Sequence, residues 1–210
     1  MKKILLFAII SCLIFLIFPQ PISAFTFIND DTVNIVEDID DDVYIKGNTV
    51  NISGNIIGDL LVYGLRLNLN GKVKRDIIAV GGAIDFAGVA EDDFRALGAS
   101  VGVDGIIKDD VVIAGGFLDI DPRARIGGDL IVVGQRILID GEISGKITAK
   151  GNSVVIAGKV DGDILVKDAE NLEIADTAKI NGDIFYSSEN EVEIEKGASI
   201  SGDIYNINSL

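Results

Sequence analysis

The chain has 210 residues, of which 48% are hydrophobic and 24% charged, and its formal net charge at pH 7 is −15. This apolar share excludes a disordered chain, and the acidic balance excludes binding to nucleic acid or anionic lipid through charge. The sequence has no His, so the commonest general base is missing, although carboxylate chemistry stays open.

Residues 1–24 have the layout of a secretory signal peptide. Lys2 and Lys3 precede a run of uncharged, mostly apolar residues, and small Ala24 offers a cleavage site. A membrane-spanning helix needs about 20 apolar residues, and this run is shorter and closed by Pro19. We therefore predict a signal helix that is cleaved after Ala24, with an uncleaved segment tethering the chain to a membrane as the alternative.

Cleavage would leave residues 25–210 as the mature chain. That chain has no cysteine, because Cys12 lies in the leader, and its formal net charge falls to −17 with the loss of two lysines. We expect it outside the cell or in the cell envelope, with the acidic surface keeping it soluble.

From residue 42 onward the sequence repeats every 17 to 20 residues. Each unit begins with an Asp followed by an apolar residue, except that Lys146 replaces the Asp once. The units begin at Asp42, Asp59, Asp76, Asp93, Asp110, Asp129, Lys146, Asp163, Asp183 and Asp203. Residues 25–41 fit the same register, which gives about ten units and a final fragment.

Apolar residues recur at fixed positions within each unit. When the Asp is position zero, they stand at positions one, three, eight, ten and fourteen, so that position ten holds Ile52, Leu69 and Phe86 in successive units. Pairs two residues apart indicate short strands with one buried face. Glycines near positions five, twelve and sixteen mark three corners, where we expect positive φ angles. The pattern predicts an all-β, single-domain, three-sided parallel β-helix.

The two units of 20 residues have altered corners. The units that begin at Asp163 and Asp183 gain one residue at the first corner and two at the second, and Asp168 and Ser188 replace the corner Gly. We expect these corners to bulge outward while the buried columns stay in line.

The apolar intervals of 2, 5, 2, 4 and 4 do not reduce to the six-residue period of left-handed hexapeptide β-helices. Segments such as Gly-Asp-Leu-Ile-Val-Val-Gly at 128–134, Gly-Asp-Ile-Leu-Val at 162–166 and Gly-Glu-Ile-Ser-Gly at 141–145 resemble the bactofilin family of polymer-forming cytoskeletal proteins. The resemblance covers nearly all of residues 42–204. It implies a right-handed three-sided β-helix that assembles end to end into nonpolar filaments without nucleotide, here in an exported variant.

The column of anchor aspartates has two interpretations. It could bind hard cations, which prefer oxygen ligands, or each Asp could accept a hydrogen bond from a backbone N–H at a corner. The spacing favours the structural interpretation, because calcium needs several oxygens that converge from different positions. We predict no metal site and no cofactor.

A secreted carbohydrate-binding or polysaccharide-cleaving β-solenoid is the alternative function. Asp119, Asp121, Arg123 and Arg125 form the nearest approach to a catalytic cluster, around an insertion that contains Pro122. A surface bulge explains this insertion more simply, because rungs this short leave little loop to form a groove. We therefore predict no catalytic residue and no small-molecule substrate.

The ends of the solenoid are the predicted sites of self-association. A β-helix exposes unpaired strand edges and core residues at its ends. The predicted polymer interface comprises Phe25, Phe27 and Ile28 at one end and Ile204, Tyr205 and Ile207 at the other. The sequence thus predicts a structural, non-enzymatic homopolymer at the cell envelope, with envelope components as further partners.

Overall fold

The computed structural model describes residues 25–207, which form strands, turns and irregular segments. The predicted signal peptide, residues 1–24, and residues 208–210 lie outside the described part. Residues 25–207 include no helix with the length and hydropathy that a membrane crossing requires.

The described residues form 23 strands, and neighbouring strands pair in parallel. In chain order they are β1 (Thr26–Asn29), β2 (Thr32–Ile35), β3 (Val43–Lys46), β4 (Thr49–Ile52), β5 (Leu60–Leu69), β6 (Lys72–Val73), β7 (Ile77–Phe86), β8 (Val89–Ala90), β9 (Phe94–Val103), β10 (Ile106–Ile107), β11 (Val111–Ile120), β12 (Arg125–Ile126), β13 (Leu130–Ile139), β14 (Glu142–Ile143), β15 (Ile147–Ile156), β16 (Lys159–Val160), β17 (Ile164–Ala169), β18 (Asn171–Ile174), β19 (Lys179–Ile180), β20 (Ile184–Ser188), β21 (Glu193–Ile194), β22 (Ser199–Ile200) and β23 (Ile204–Asn206).

Each complete coil of the chain, here called a rung, has three sides. In β5 the buried residues change parity between Gly64 and Leu67, because the strand turns a corner there. Residues 60–63 and their equivalents form face one, and residues 66–69 and their equivalents form face two. Both belong to a 15-stranded sheet, while a separate 8-stranded sheet that includes β6 forms face three. The predicted three-sided parallel β-solenoid is confirmed.

The predicted apolar columns stack along the interior. Ile52 pairs with Leu69 and Leu69 pairs with Phe86, so each residue of the column lies over the one before. These side chains are almost fully buried and belong to one continuous core that runs from Val33 to Tyr186. The hydrophobic effect along these columns is therefore the main stabilising term of the fold.

The fourth and fifth rungs carry the largest core side chains. The rings of Phe86 and Phe94 stack with their centroids 4.8 Å apart and are almost fully buried. Small residues in the same rungs, Ala79, Ala90 and Ala96, balance this volume. The interior thus stays filled at constant rung spacing, as close packing requires.

The reason for the corner glycines differs from the prediction. Among the glycines of residues 25–207, only Gly197 has a positive φ, of 128°. The corner glycines are needed instead because successive rungs approach too closely for a side chain. A Cβ on Gly115, for example, would lie 2.1 Å from the carbonyl oxygen of Gly98 in the rung before.

The 20-residue rungs keep the core in line, as predicted. Leu172 pairs with Val154 and is buried, while the strand register shifts between Val166 and Ala169 at the first corner. Asp168 takes up the inserted residue there, with a φ of 51°, a conformation that Asp tolerates better than most residues. The expected outward bulge is wrong at Ser188, which pairs with Ala169 and is buried because it fills the interior of the corner.

Candidate functional site

The solenoid has two open ends. At the first end β1 pairs with β3 and β2 pairs with β4, and no described strand covers their outer edges. At the second end β21, β22 and β23 pair only with strands of the preceding rung among the described residues. Both ends therefore present backbone groups that another strand could pair with.

Two of the predicted interface residues lie in core columns at these ends. Ile28 pairs with Ile45, and Ile204 pairs with Ile184, so both side chains point into the coil. Ile28 is half-buried and Ile204 is exposed, whereas their neighbours one rung inward are buried. The exposure arises because no further described rung covers them.

The aromatic residues of the predicted interface point sideways rather than along the axis. Phe27 pairs with Tyr44 in an outward column of face one, and Tyr205 pairs with Phe185 in the same column. Phe25 contacts Tyr44 edge-on, with ring centroids 5.0 Å apart, and Tyr205 stacks on Phe185 at the same distance. These rings therefore extend face one to both ends of the rod.

Ile207, the last predicted residue, is half-buried beside the final strand. Its backbone N–H donates a hydrogen bond of 2.8 Å to the carbonyl oxygen of Tyr186. The structure therefore places it along the side of the last strand, in continuation of face one, and it does not bring the six residues into two compact end patches.

The sequence analysis missed four isoleucines that complete the end surfaces. Ile35 and Ile39 are half-buried at the first end, and Ile194 and Ile200 are exposed or half-buried at the second. Each is the terminal member of a buried column. Ile194 is 43% exposed although Ile174, its partner one rung inward, is fully buried. These isoleucines could have been predicted from the sequence as the terminal residues of the apolar columns.

The anchor aspartates form a hydrogen-bonded ladder. The backbone N–H of eight anchor residues donates to Oδ1 of the Asp one rung earlier. Asp59 donates to Asp42 at 2.9 Å, Asp110 to Asp93 at 3.0 Å and Asp203 to Asp183 at 2.8 Å. The predicted structural role is confirmed. The preceding glycine makes room for it, because a Cβ on Gly58 would lie 2.2 Å from Oδ1 of Asp42.

Two acidic groups lie along this ladder where no glycine precedes the anchor. Carboxylate oxygens of Asp76, Asp92 and Asp93 lie within 4.8 Å of one another, as do those of Asp93, Asp109 and Asp110. Burial raises the pKa of Asp109, and the neighbouring Asp110 adds to the effect. Oδ1 of Asp76 and Oδ1 of Asp93 already accept backbone hydrogen bonds, which leaves few free oxygens to converge on a cation.

An acidic depression of about 260 Å³ lies on face two. Asp85, Asp104, Asp119 and Asp121 line it. Burial raises the pKa of Asp119, with Asp121 and Asp140 contributing. The charged side chains that line the depression are all carboxylates, and two of them, Asp104 and Asp121, already form ion pairs with Arg123.

The residues that come nearest to a catalytic cluster in the sequence are divided between two faces. Arg123 forms ion pairs with Asp104 and, at 3.5 Å, with Asp121, whereas Arg125 pairs with Glu142 on face three. Asp121 and Ala124 close a tight turn through a 2.8 Å backbone hydrogen bond. The insertion is thus a surface turn whose arginines are bound by different carboxylates, as the simpler interpretation predicts.

Residues 149–205 match the family model described as Bactofilin: Polymer-forming cytoskeletal. The match confirms the predicted resemblance to the bactofilin family over this segment. The matched segment contains three Gly-Asp pairs of the aspartate ladder and the second open end. Bactofilins are structural cytoskeletal proteins rather than enzymes. No curated protein and no solved structure matches the chain.

Proposed function

We propose that this bactofilin is a structural scaffold that polymerises end to end at the cell envelope after export, without catalysing a reaction. The family description of a polymer-forming cytoskeletal protein supports self-assembly. The observation that carries the end-to-end geometry is the contrast between Ile194, 43% exposed, and Ile174, fully buried one rung inward.

End-to-end contact would satisfy the groups that each end leaves open. The first end offers Ile28, Ile35 and Ile39, and the second offers Ile194 and Ile200. A second copy set on either end would bury these isoleucines and give the edge strands a hydrogen-bonding partner. Burial of an aliphatic side chain is worth about 1.5–3 kcal/mol, so several of them can drive association.

The end-to-end geometry is tested by introducing charge at both ends. We expect the double variant Ile28→Lys, Ile194→Lys to lose filaments in electron microscopy, because a buried unpaired charge at the junction is strongly unfavourable. Ile106→Lys, an exposed isoleucine on face three, is the matched control and should form filaments like the unmodified protein.

Isolated rods of the unmodified protein would overturn this proposal, and a monodisperse monomer in light scattering would do the same. If those rods also bound or cleaved acidic polysaccharide, and Asp121→Ala abolished that activity while leaving the fold intact, the carbohydrate-directed alternative would replace it.

The location at the envelope rests on the pattern of residues 1–24, with two lysines before an apolar run and a small residue at position 24. We expect protein recovered from outside the cytoplasm to begin at Phe25. An intact mass that retains residues 1–24 in a membrane fraction would favour the tethered alternative, and cytoplasmic recovery of the whole chain would contradict export.

A further inference from the structure

Face one carries two outward columns of side chains, which we call the face-one strip. One column contains Phe27, Tyr44, Leu61, Ile78, Arg95, Val112, Ile131, Thr148, Leu165, Phe185 and Tyr205. The other contains Asn29, Lys46, Tyr63, Val80, Leu97, Ala114, Val133, Lys150 and Lys167. The strip therefore runs the full length of the described solenoid.

The strip is mostly apolar although it faces outward. Tyr63 is 56% exposed and Leu97 is 55% exposed, and most of the other aliphatic members are also exposed. The equivalent outward column of face two begins instead with Asn34, Asn51 and Asn68, whose side-chain amides hydrogen-bond from rung to rung. The folding of a rung thus does not require apolar residues outside, and an apolar area of this extent marks an interaction surface.

The strip contains no carboxylate. The chain has 33 Asp and Glu residues and a formal net charge of −15, yet none of the acidic residues stands in either outward column of face one. Of its basic members, Arg95 pairs with Asp76 at 3.2 Å, and Lys150 pairs with Asp168 at 2.5 Å. The strip is therefore a surface where two copies of an acidic protein could approach without carboxylates facing each other.

We propose that two copies of this chain pair side by side through their face-one strips. Ten rung spacings of about 4.8 Å and a width of about 13 Å give about 600 Å² per copy, or about 1,200 Å² for the pair. That area reaches the range of specific protein interfaces. At one end of the strip a shallow depression of about 670 Å³, lined by Phe25, Phe27, Tyr44 and Tyr63 among others, can accept apolar side chains of the second copy.

This lateral contact goes beyond the proposed end-to-end polymer, because the two contacts use different surfaces. The ends act along the axis through the terminal isoleucines, and the strip acts across the axis. A filament that used both contacts would consist of two rows of end-to-end subunits, with the face-one strips of the two rows against each other and the acidic faces toward solvent.

The test separates the two contacts. The variant with Ile28→Lys and Ile194→Lys is purified from the cells that express it, with whatever N-terminus it has after processing. The two lysines block end-to-end growth. We expect this end-blocked protein to sediment as a dimer at about 50 μM. Adding Ile78→Glu and Leu97→Glu should raise the dissociation constant of the dimer by at least about 100-fold and give monomers, because the dimer would then have to desolvate carboxylates on both copies. Adding Ile106→Glu on face three should leave the dimer unchanged.

An end-blocked protein that sediments as a monomer overturns the lateral contact, even where the unmodified protein forms filaments. If the dimer persists with Ile78→Glu and Leu97→Glu, another surface forms it. If these two substitutions abolish binding to phosphatidylcholine vesicles without changing sedimentation, the strip faces lipid instead. If the end-blocked protein still forms filaments, the end-to-end proposal fails. In that case, filaments that become narrower with Ile78→Glu and Leu97→Glu support the lateral contact, and filaments of unchanged width overturn it.

Discussion

At the scale of single residues, the anchor aspartates show how a short polar side chain can hold a repetitive fold in register. Each anchor carboxylate from Asp42 to Asp183 accepts the backbone N–H of the equivalent residue one rung later, as Asp42 does from Asp59 at 2.9 Å. A short acceptor suits this position, because the glycine that precedes six of the ten anchors brings the backbone close. Lys146 is the one anchor without a carboxylate, and its own N–H still donates to Asp129 at 2.8 Å.

A substitution in this ladder separates hydrogen bonding from charge. Asp59→Ala removes the acceptor for the N–H of Asp76, and we expect the free energy of unfolding in urea to fall by about 1 kcal/mol. Asp59→Asn keeps an oxygen acceptor but removes the charge, so its stability should stay close to that of the unmodified protein. Equal losses of stability in both variants would contradict the structural role and would indicate that the charge of the aspartate column is what stabilises the fold.

At the scale of strands and corners, the glycine column between faces one and two sets how closely successive rungs stack. Most of its members approach a carbonyl oxygen of the preceding rung too closely for a Cβ, as Gly64 does toward Gly47, where the distance would be 2.2 Å. This is a constraint between rungs, and it acts at most glycines of this corner; at Gly98 the nearest atom to such a Cβ is the backbone oxygen of Ser100 in the same rung, at 3.1 Å. The long strands such as β5 and β7 can cross the corner without a break for the same reason.

Gly115→Ala tests this explanation of the corner. A Cβ there would lie 2.1 Å from the backbone oxygen of Gly98, so the rungs must separate, and we expect a loss of about 1–3 kcal/mol in the free energy of unfolding. Gly102→Ala is the matched control, because its nearest neighbour is the carboxylate oxygen of Asp85 at 3.3 Å. The control should lose less than about 0.5 kcal/mol, and a similar loss at both sites would show that the close approach does not matter.

Face three has a network of two ion pairs that spans three rungs. Lys72 and Lys108 both pair with Glu91, at 2.7 Å and 3.0 Å, and their hydrogen bonds lower the pKa of Glu91 to about 2. This short side of the coil has strands of only two residues, so side chains supplement its backbone ladder.

At the scale of the whole molecule, the sequence predicts the interior well and the ends less well. The columns that contain Ile52 and Ile174 could be located because a period of 17 to 20 residues repeats about ten times, and each repeat tests the register again. The corner geometry could not be predicted correctly, because a glycine in sequence does not distinguish a positive φ from a close approach. Phe27 alternates with the core positions 26 and 28, which indicates an outward side chain, whereas the prediction placed it at the end surface of the solenoid.

The exposed parts of the molecule were harder to predict for a physical reason. Whether Ile194 is buried depends on whether another rung follows it, which is a property of the assembled coil rather than of its local sequence. The face-one strip likewise emerges only when residues 17 apart, such as Leu61 and Ile78, are placed side by side. A single repeat shows one exposed aliphatic residue, and the stacked repeats show a continuous surface.

Because successive rungs are separated by a constant distance, the length of the solenoid is proportional to the number of its rungs. Because each rung contacts chiefly its two neighbours, a variant of this chain that lost or duplicated one 17-residue unit in the middle would keep both terminal surfaces intact. Only the axial subunit repeat of its polymer would change, by about 4.8 Å for each unit, so that evolution could adjust filament periodicity without redesigning the junction.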